Sequence, residues 1–256
     1  MFPGEARDAA TDAVTGAVTG AVTGPLTSAA VDASVDATPA RAPVSRDTIV
    51  AAAMDLLNEG GLELVSFRRI AARLQVSAPT LYWHVENKRQ LMDLMAEEIF
   101  LRTRREPLEP GPGEPWWAWL RTHAQQMFDT LVETRDAPRV LAGNRPSPEA
   151  FPAIERTLRV LVDAGLTPGD AQQALFAIGA YVIGSAAEWQ AEADRAADRP
   201  LPDPEDGAIN ALRAKVLNDQ PLLLAAITEI LHQPQTAAFE FGLDLIVAGL
   251  RARYEP

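Results

Sequence analysis

Residues 66–89 read SFRRIAARLQVSAPTLYWHVENKR, and their punctuation restricts the fold more than any other stretch of the chain. Ser66 precedes Phe67, Ile70, Ala71 and Leu74 at helical spacing, and Ser77 precedes Pro79. A serine hydroxyl satisfies orphan N–H groups in the first turn of a helix, where proline is harmless because its missing N–H would go unpaired anyway. The pattern predicts two short capped helices, the first ending near Gln75, joined by a turn over residues 75–77. Tyr82, Trp83 and His84 then stand side by side, too close together to share one apolar helix face. A helix-turn-helix has this layout and sets the start of its second helix on base edges in a major groove, yet plain packing of two short helices has it too.

Charge bears on the choice. The chain carries a formal net charge of -12, which disfavours a polyanionic partner, because phosphate binding depends on Lys and Arg displacing condensed counterions. The distribution reverses that impression. Residues 1–44 carry 2 basic and 5 acidic side chains, residues 45–105 carry 9 and 8, and residues 106–256 carry 12 and 22. Within 66–89, Arg68, Arg69, Arg73, Lys88 and Arg89 face a single anion, Glu86. A short basic segment sits on an acidic body. The absence of cysteine rules out disulfides and thiolate metal sites. No apolar run approaches the ~18 residues of a spanning helix, and MFPGEARDAA lacks the basic and apolar regions of a signal peptide. The expectation is a cytoplasmic protein with no membrane partner.

Residues 1–44 contain AVTG three times in succession, a repeat with no bulky apolar stripe and no aromatic, and then a drift of Ala, Val, Thr, Ser and Asp. Such a segment cannot bury enough surface to offset chain entropy and is expected to be a disordered, low-complexity arm. From Ser45 the chain becomes helical, with Ile49, Ala53, Leu56 and Leu57 in register and a stop at Gly60 and Gly61. A longer connector helix runs from Asn87 through Leu91, Leu94, Met95 and Ile99 to about Arg105. EPLEPGPGEP then marks a boundary, so residues 45–105 and 106–256 are expected to be separate helical domains. The second should hold the helix WWAWLRTHAQQMFDTLVETR, a short piece around 136–142, a helix over 151–164 and a long one opened by Thr167 and Pro168. In the long helix Gly179, Gly184, Ser185 and Ala186 allow another helix to approach closely. Residues 194–207 read as an acidic, proline-rich loop, and AAFEFGLDLIVAGLRARY is apolar around most of its circumference, which calls for burial. The fold class is all-α.

RRIAARLQVSAPTLYWHVENKRQLMDLMAEEI resembles the N-terminal domain of the TetR family of bacterial repressors, and PTLYWHVENKR is similar to the tetracycline-repressor branch nearly letter for letter. The resemblance implies a three-helix DNA-binding domain joined by a connector helix to a helical ligand-binding and dimerisation domain. It implies that Ala78, Pro79 and Thr80 face base edges, that Arg68 reaches guanine from the preceding helix with Phe67 beside it, and that Tyr82, Trp83, His84 and Lys88 lie on the DNA backbone. For Tyr82 and Trp83 the alternative is partial burial under the first helix, and for His84 a solvated helix end. Two departures stand out. Gln75 occupies a position where the family often has glycine, which places a non-glycine residue in left-handed backbone, and Ala78 replaces the glutamine of the tetracycline repressor, so a different operator is expected.

The resemblance extends over roughly residues 45–254 and implies an effector pocket lined by Arg104, His123, Met127, Leu141, Asn144, Arg145, Pro146, Thr157 and Glu188. Leu141 and Asn144 stand where the tetracycline repressor has a magnesium-ligating histidine and a water-holding threonine. Leucine cannot ligate magnesium, so the expected effector is another amphipathic or polycyclic small molecule, with no cofactor and no metal. A homodimer on palindromic double-stranded operator DNA is implied, as is release by the effector. Two alternatives stay open: an activator, or a DNA-binding regulator without a ligand. An enzyme is not expected, since no nucleophile elbow, phosphate-cradling loop or zinc-spaced histidine pair occurs.

Overall fold

The computed structural model describes residues 43–103, 109–198, 219–230 and 233–255, together with Gly207, Ala211, Lys215 and Leu217. The arm expected over 1–44 lies outside the described residues except for Pro43 and Val44, as do Arg104, the division expected between 105 and 106, and His232. Among the described residues ten α-helices follow one another: α1 Arg46–Gly60, α2 Phe67–Arg73, α3 Ala78–Tyr82, α4 Lys88–Thr103, α5 Trp116–Glu133, α6 Ala137–Leu141, α7 Phe151–Asp163, α8 Pro168–Asp198, α9 Pro221–Ile230 and α10 Ala237–Tyr254. The same residues contain no strand.

Local chemistry explains the helix ends. Ser45 and Thr48 cap α1 reciprocally, the Thr48 N–H donating to Ser45 Oγ at 3.2 Å and the Ser45 N–H to Thr48 Oγ1 at 2.9 Å. Gly61, at φ 78°, ends that helix. Ser66 Oγ accepts the Arg69 N–H at 3.3 Å and caps α2. Ser77 departs from expectation: its hydroxyl meets Thr80 Oγ1 at 2.8 Å and caps no backbone group, leaving Pro79 to set the start of α3. The turn between α2 and α3 closes with the Val76 N–H on the Ala71 carbonyl (2.9 Å) and the Gln75 N–H on the Ala72 carbonyl (3.1 Å), with Gln75 at φ 54°. This is the Schellman arrangement that normally carries glycine at the left-handed position.

A single hydrophobic core runs through the described residues, from Ile49, Leu57, Ile70, Leu81 and Val85 to Phe128, Leu131, Val182 and Leu243. Helix α4 packs on α1, α5 and α6, while α8 packs on α5, α6, α7 and α10. Phe128 of α5 packs against both α8 and α10, its ring stacked on Phe239 at 3.9 Å and edge-on to Trp189 at 5.8 Å. Gly242 is required where α10 meets α8, because a Cβ there would collide with the Tyr181 hydroxyl, which donates to the Phe239 carbonyl. Asp136 links the segment that follows α1 to α8. In left-handed backbone at φ 55°, its carboxylate accepts the Leu62 N–H at 2.7 Å and an Arg139 N–H at 3.0 Å. Its own N–H donates to Gln190 of α8 at 3.1 Å, and Gln190 Nε2 donates to the Leu131 and Thr134 carbonyls. Burial opposes ionisation of Asp136, but the Leu62 N–H and the Arg139 guanidinium outweigh it and hold the carboxyl below its usual range.

One expectation needs correction, and two features add to the reading. Residues 194–198 belong to α8 and not to the loop expected over 194–207. Helix α9, PLLLAAITEI, is an additional element, and none of its residues is buried within the chain: Leu222, Leu223 and Ile230 are all exposed. Helix α10 buries Phe239, Leu243 and Val247 but leaves Phe241 and Leu245 in the open, so one chain covers only one of its apolar faces.

Gln75 supplies a direct test of the turn. Gln75→Gly should raise stability by about 1 kcal/mol, reduced somewhat by the freer unfolded chain, and lift Tm by roughly 2–4 °C. Thermal unfolding of the two proteins at equal concentration reads the difference; an unchanged or lower Tm contradicts the strained turn.

Candidate nucleic-acid interface

Helix α3 is held from one side only. Leu81 and Val85 are fully buried and pin it to the core, each burial worth about 2 kcal/mol. Their spacing turns the intervening residues outward. Tyr82 is 53% exposed and Trp83 88% exposed, so the alternative of burial under α1 does not hold for Trp83. Tyr82 stacks on Phe67 at 4.7 Å, which restrains its ring against α2. Phe67 is half-buried and acts as the platform for that ring. Pro79 is exposed; Ala78, Thr80 and His84 are partly exposed; and the His84 carbonyl accepts from Arg46 Nε at 3.4 Å, tying the end of α3 to the start of α1.

The five cations of this segment separate into two groups. Arg73 is bound to Glu59 at 2.6 Å and lies 3.7 Å from Asp55; its hydrogen bond holds the Glu59 carboxyl below the usual range. Arg89 is paired with Asp93 at 2.9 Å and donates to the Gly143 carbonyl. Arg68, Lys88 and the Arg69 side chain are exposed and make no hydrogen bond or ion pair among the described residues. In the sequence nothing distinguishes Arg69 from Arg73; only the partners of Arg73 do. The face therefore offers exposed aromatic tips flanked by uncompensated cations, chemistry suited to phosphates and base edges.

The residues expected to line an effector pocket are scattered between core and surface in the single chain. Leu141 is buried at the end of α6. His123 is partly buried and stacked on Trp119 at 5.4 Å; Met127 is partly buried on the same helix; and the Thr157 hydroxyl is committed to the Ala153 carbonyl at 3.1 Å. Arg145 and Pro146 are exposed, whereas Asn144 Oδ1 is buried with no hydrogen-bond partner among the described residues. Glu188 is exposed on an open groove of about 510 Å3 together with Phe128, Tyr181, Ser185, Trp189 and Phe239, a lining that includes neither Leu141 nor Asn144. A second open cavity, of about 480 Å3, is lined by Asn58, Arg102, Thr130, Glu133 and Thr134 and contains none of the expected residues. The buried hydrocarbon of Leu141 and the lone amide of Asn144 do not form a donor set for magnesium.

Comparison with known proteins matches residues 49–95 to the family model "Bacterial regulatory proteins, tetR family" and residues 109–254 to "Tetracyclin repressor-like, C-terminal domain". The tetracycline repressor protein class G of Vibrio anguillarum is 36% identical over 206 residues, covering 80% of this chain and 93% of the relative. A variant of the TetR protein of Acinetobacter baumannii, crystallised with minocycline, is 32% identical with a TM-score of 0.63, covering 84% of this chain and 100% of that one. ActR of Streptomyces coelicolor, in complex with (S)-DNPA, is 27% identical with a TM-score of 0.66, covering 83% and 99%. With both halves of the described fold matched in order, the chain belongs to the TetR family of bacterial regulators, on its tetracycline-repressor branch.

Proposed function

We propose that this chain is a ligand-responsive transcriptional repressor that docks on palindromic operator DNA as a homodimer and is released by a small amphipathic or polycyclic effector bound without magnesium. The observation that carries the DNA contact is the α2–α3 edge, where Tyr82 and Trp83 stand exposed and Arg68, Arg69 and Lys88 have no partner among the described residues. Ala78, Pro79 and Thr80 begin the helix that enters the groove, Arg68 reads a guanine, and Tyr82, Trp83, His84 and Lys88 lie along phosphates. Dimerisation is supported by the open faces of α8 and α10: Phe176, Phe241 and Leu245 are exposed, and apart from the adjoining residues and the helix's own backbone no atom of the described residues comes within 4 Å of where a side chain on Gly179, Gly184 or Gly249 would begin. The effector reading is supported by the unmet acceptor of Asn144 beside buried Leu141, an apolar site with few polar anchors.

Arg68→Ala should cost about 1–3 kcal/mol on the selected operator and relax preference at one base pair in each half-site, whereas Lys88→Ala should weaken selected and scrambled duplexes alike and lower the salt slope by roughly 1 per site. Anisotropy titrations at several salt concentrations separate the two. Equal losses on both duplexes for Arg68→Ala would remove its base-reading role, and no binding of any duplex would sink the repressor reading. Sedimentation velocity at micromolar concentration should give a dimer; a monomer contradicts the proposed pairing of α8 and α10. Release of operator by a polycyclic ligand should be unaffected by a chelator, and release by anhydrotetracycline only in the presence of magnesium would overturn the metal-free site.

A further inference from the structure

Helix α4 grips the segment 143–147 at both ends. The Arg89 guanidinium donates to the Gly143 carbonyl, and the Ser147 N–H donates to Glu97 Oε1 at 2.7 Å in a partly buried setting. Both contacts are charge-assisted, and the second holds its N–H in the more sheltered place. Both grips come from one continuous helix whose first residue is Lys88, next to the DNA-contacting end of α3. Between the grips lie Asn144, Arg145 and Pro146, and Asn144 Oδ1 is buried with no donor among the described residues.

We infer that Glu97 is a positioning residue that couples the effector segment to the DNA-binding edge, an inference that rests on the repressor function proposed for the chain. While Glu97 holds the Ser147 N–H, α4 and the segment 143–147 stay locked together and Lys88 stays in register with the operator. An effector that binds better to a shape of this segment in which Ser147 leaves Glu97 frees α4 to shift. Linkage makes the coupling readable without the ligand: whatever the Glu97 contact does for operator binding, operator binding does for the contact. Ser147 is suited to report it. It lies between Pro146 and Pro148, so it carries the one backbone N–H of the three residues.

The experiment is hydrogen exchange at the Ser147 amide of the full-length dimer, with and without an operator duplex recovered from a random pool, combined with anisotropy titration of that duplex. In the natural protein, operator should slow Ser147 exchange about fivefold or more. Glu97→Gln should abolish that slowing and weaken operator binding by a similar factor, while Ser147→Ala, which keeps the N–H, should behave as the natural protein. Exchange at Ser147 that ignores operator overturns the coupling and leaves the DNA-binding function standing. So does a Glu97→Gln variant with a lower Tm but natural slowing and affinity, which would make the contact merely structural. Failure of every duplex to bind overturns the repressor function itself, and this inference with it.

Discussion

The Asp136 carboxylate is the point through which the DNA-contacting helices and the long helix α8 are held to one geometry. It reaches Leu62, just past the end of α1, and its backbone N–H meets Gln190, which is itself bonded to the carbonyls that end α5. This reach requires two unusual backbone positions facing one another. Asp136 must be left-handed, and Gly61 must lack a side chain, since a Cβ there would lie 2.5 Å from Asp136 Oδ2. Aspartate tolerates left-handed backbone better than most residues, and ionisation makes it a strong acceptor for a single N–H. Helices α1 and α8 are thereby joined by hydrogen bonds with fixed direction as well as by apolar contact, which is tolerant of sliding.

Electrostatics are arranged around the same division. The acidic excess resides beyond residue 105, while the α2–α3 edge keeps three cations without partners among the described residues. Pairing of Arg73 with Glu59, which ties α2 to α1, and of Arg89 with Asp93, within α4, removes two further charges from that edge. An acidic body with a narrow basic edge repels a duplex in most orientations and accepts it in one, so charge here favours orientation over general adhesion.

Much of this is legible in the residues. Serine caps, the Gly60 and Gly61 stop and the apolar spacing locate α1 and α2, and Gln75 announces the left-handed turn that the backbone shows. What escapes depends on partners distant in sequence. Arg69 and Arg73 have the same character until Glu59, on another helix, claims one of them. Ser77 looks like a cap until Thr80 takes its hydroxyl. Helix α9 has few polar residues to give it a period, so no amphipathic pattern betrays it. The placement of Glu188 on a groove apart from Leu141 is likewise hidden, because the resemblance names residues without saying which of them one chain brings together.

Burial of Leu81 and Val85 has one more consequence. The two residues that hold α3 in place are different from the ones it displays, and Trp83 rests on almost nothing. Trp83 can therefore change identity over generations while the scaffold keeps its stability, since no core contact is spent on it. A duplicated copy of the gene would need few substitutions to acquire a new address on the chromosome, and the fold would not object to the experiment.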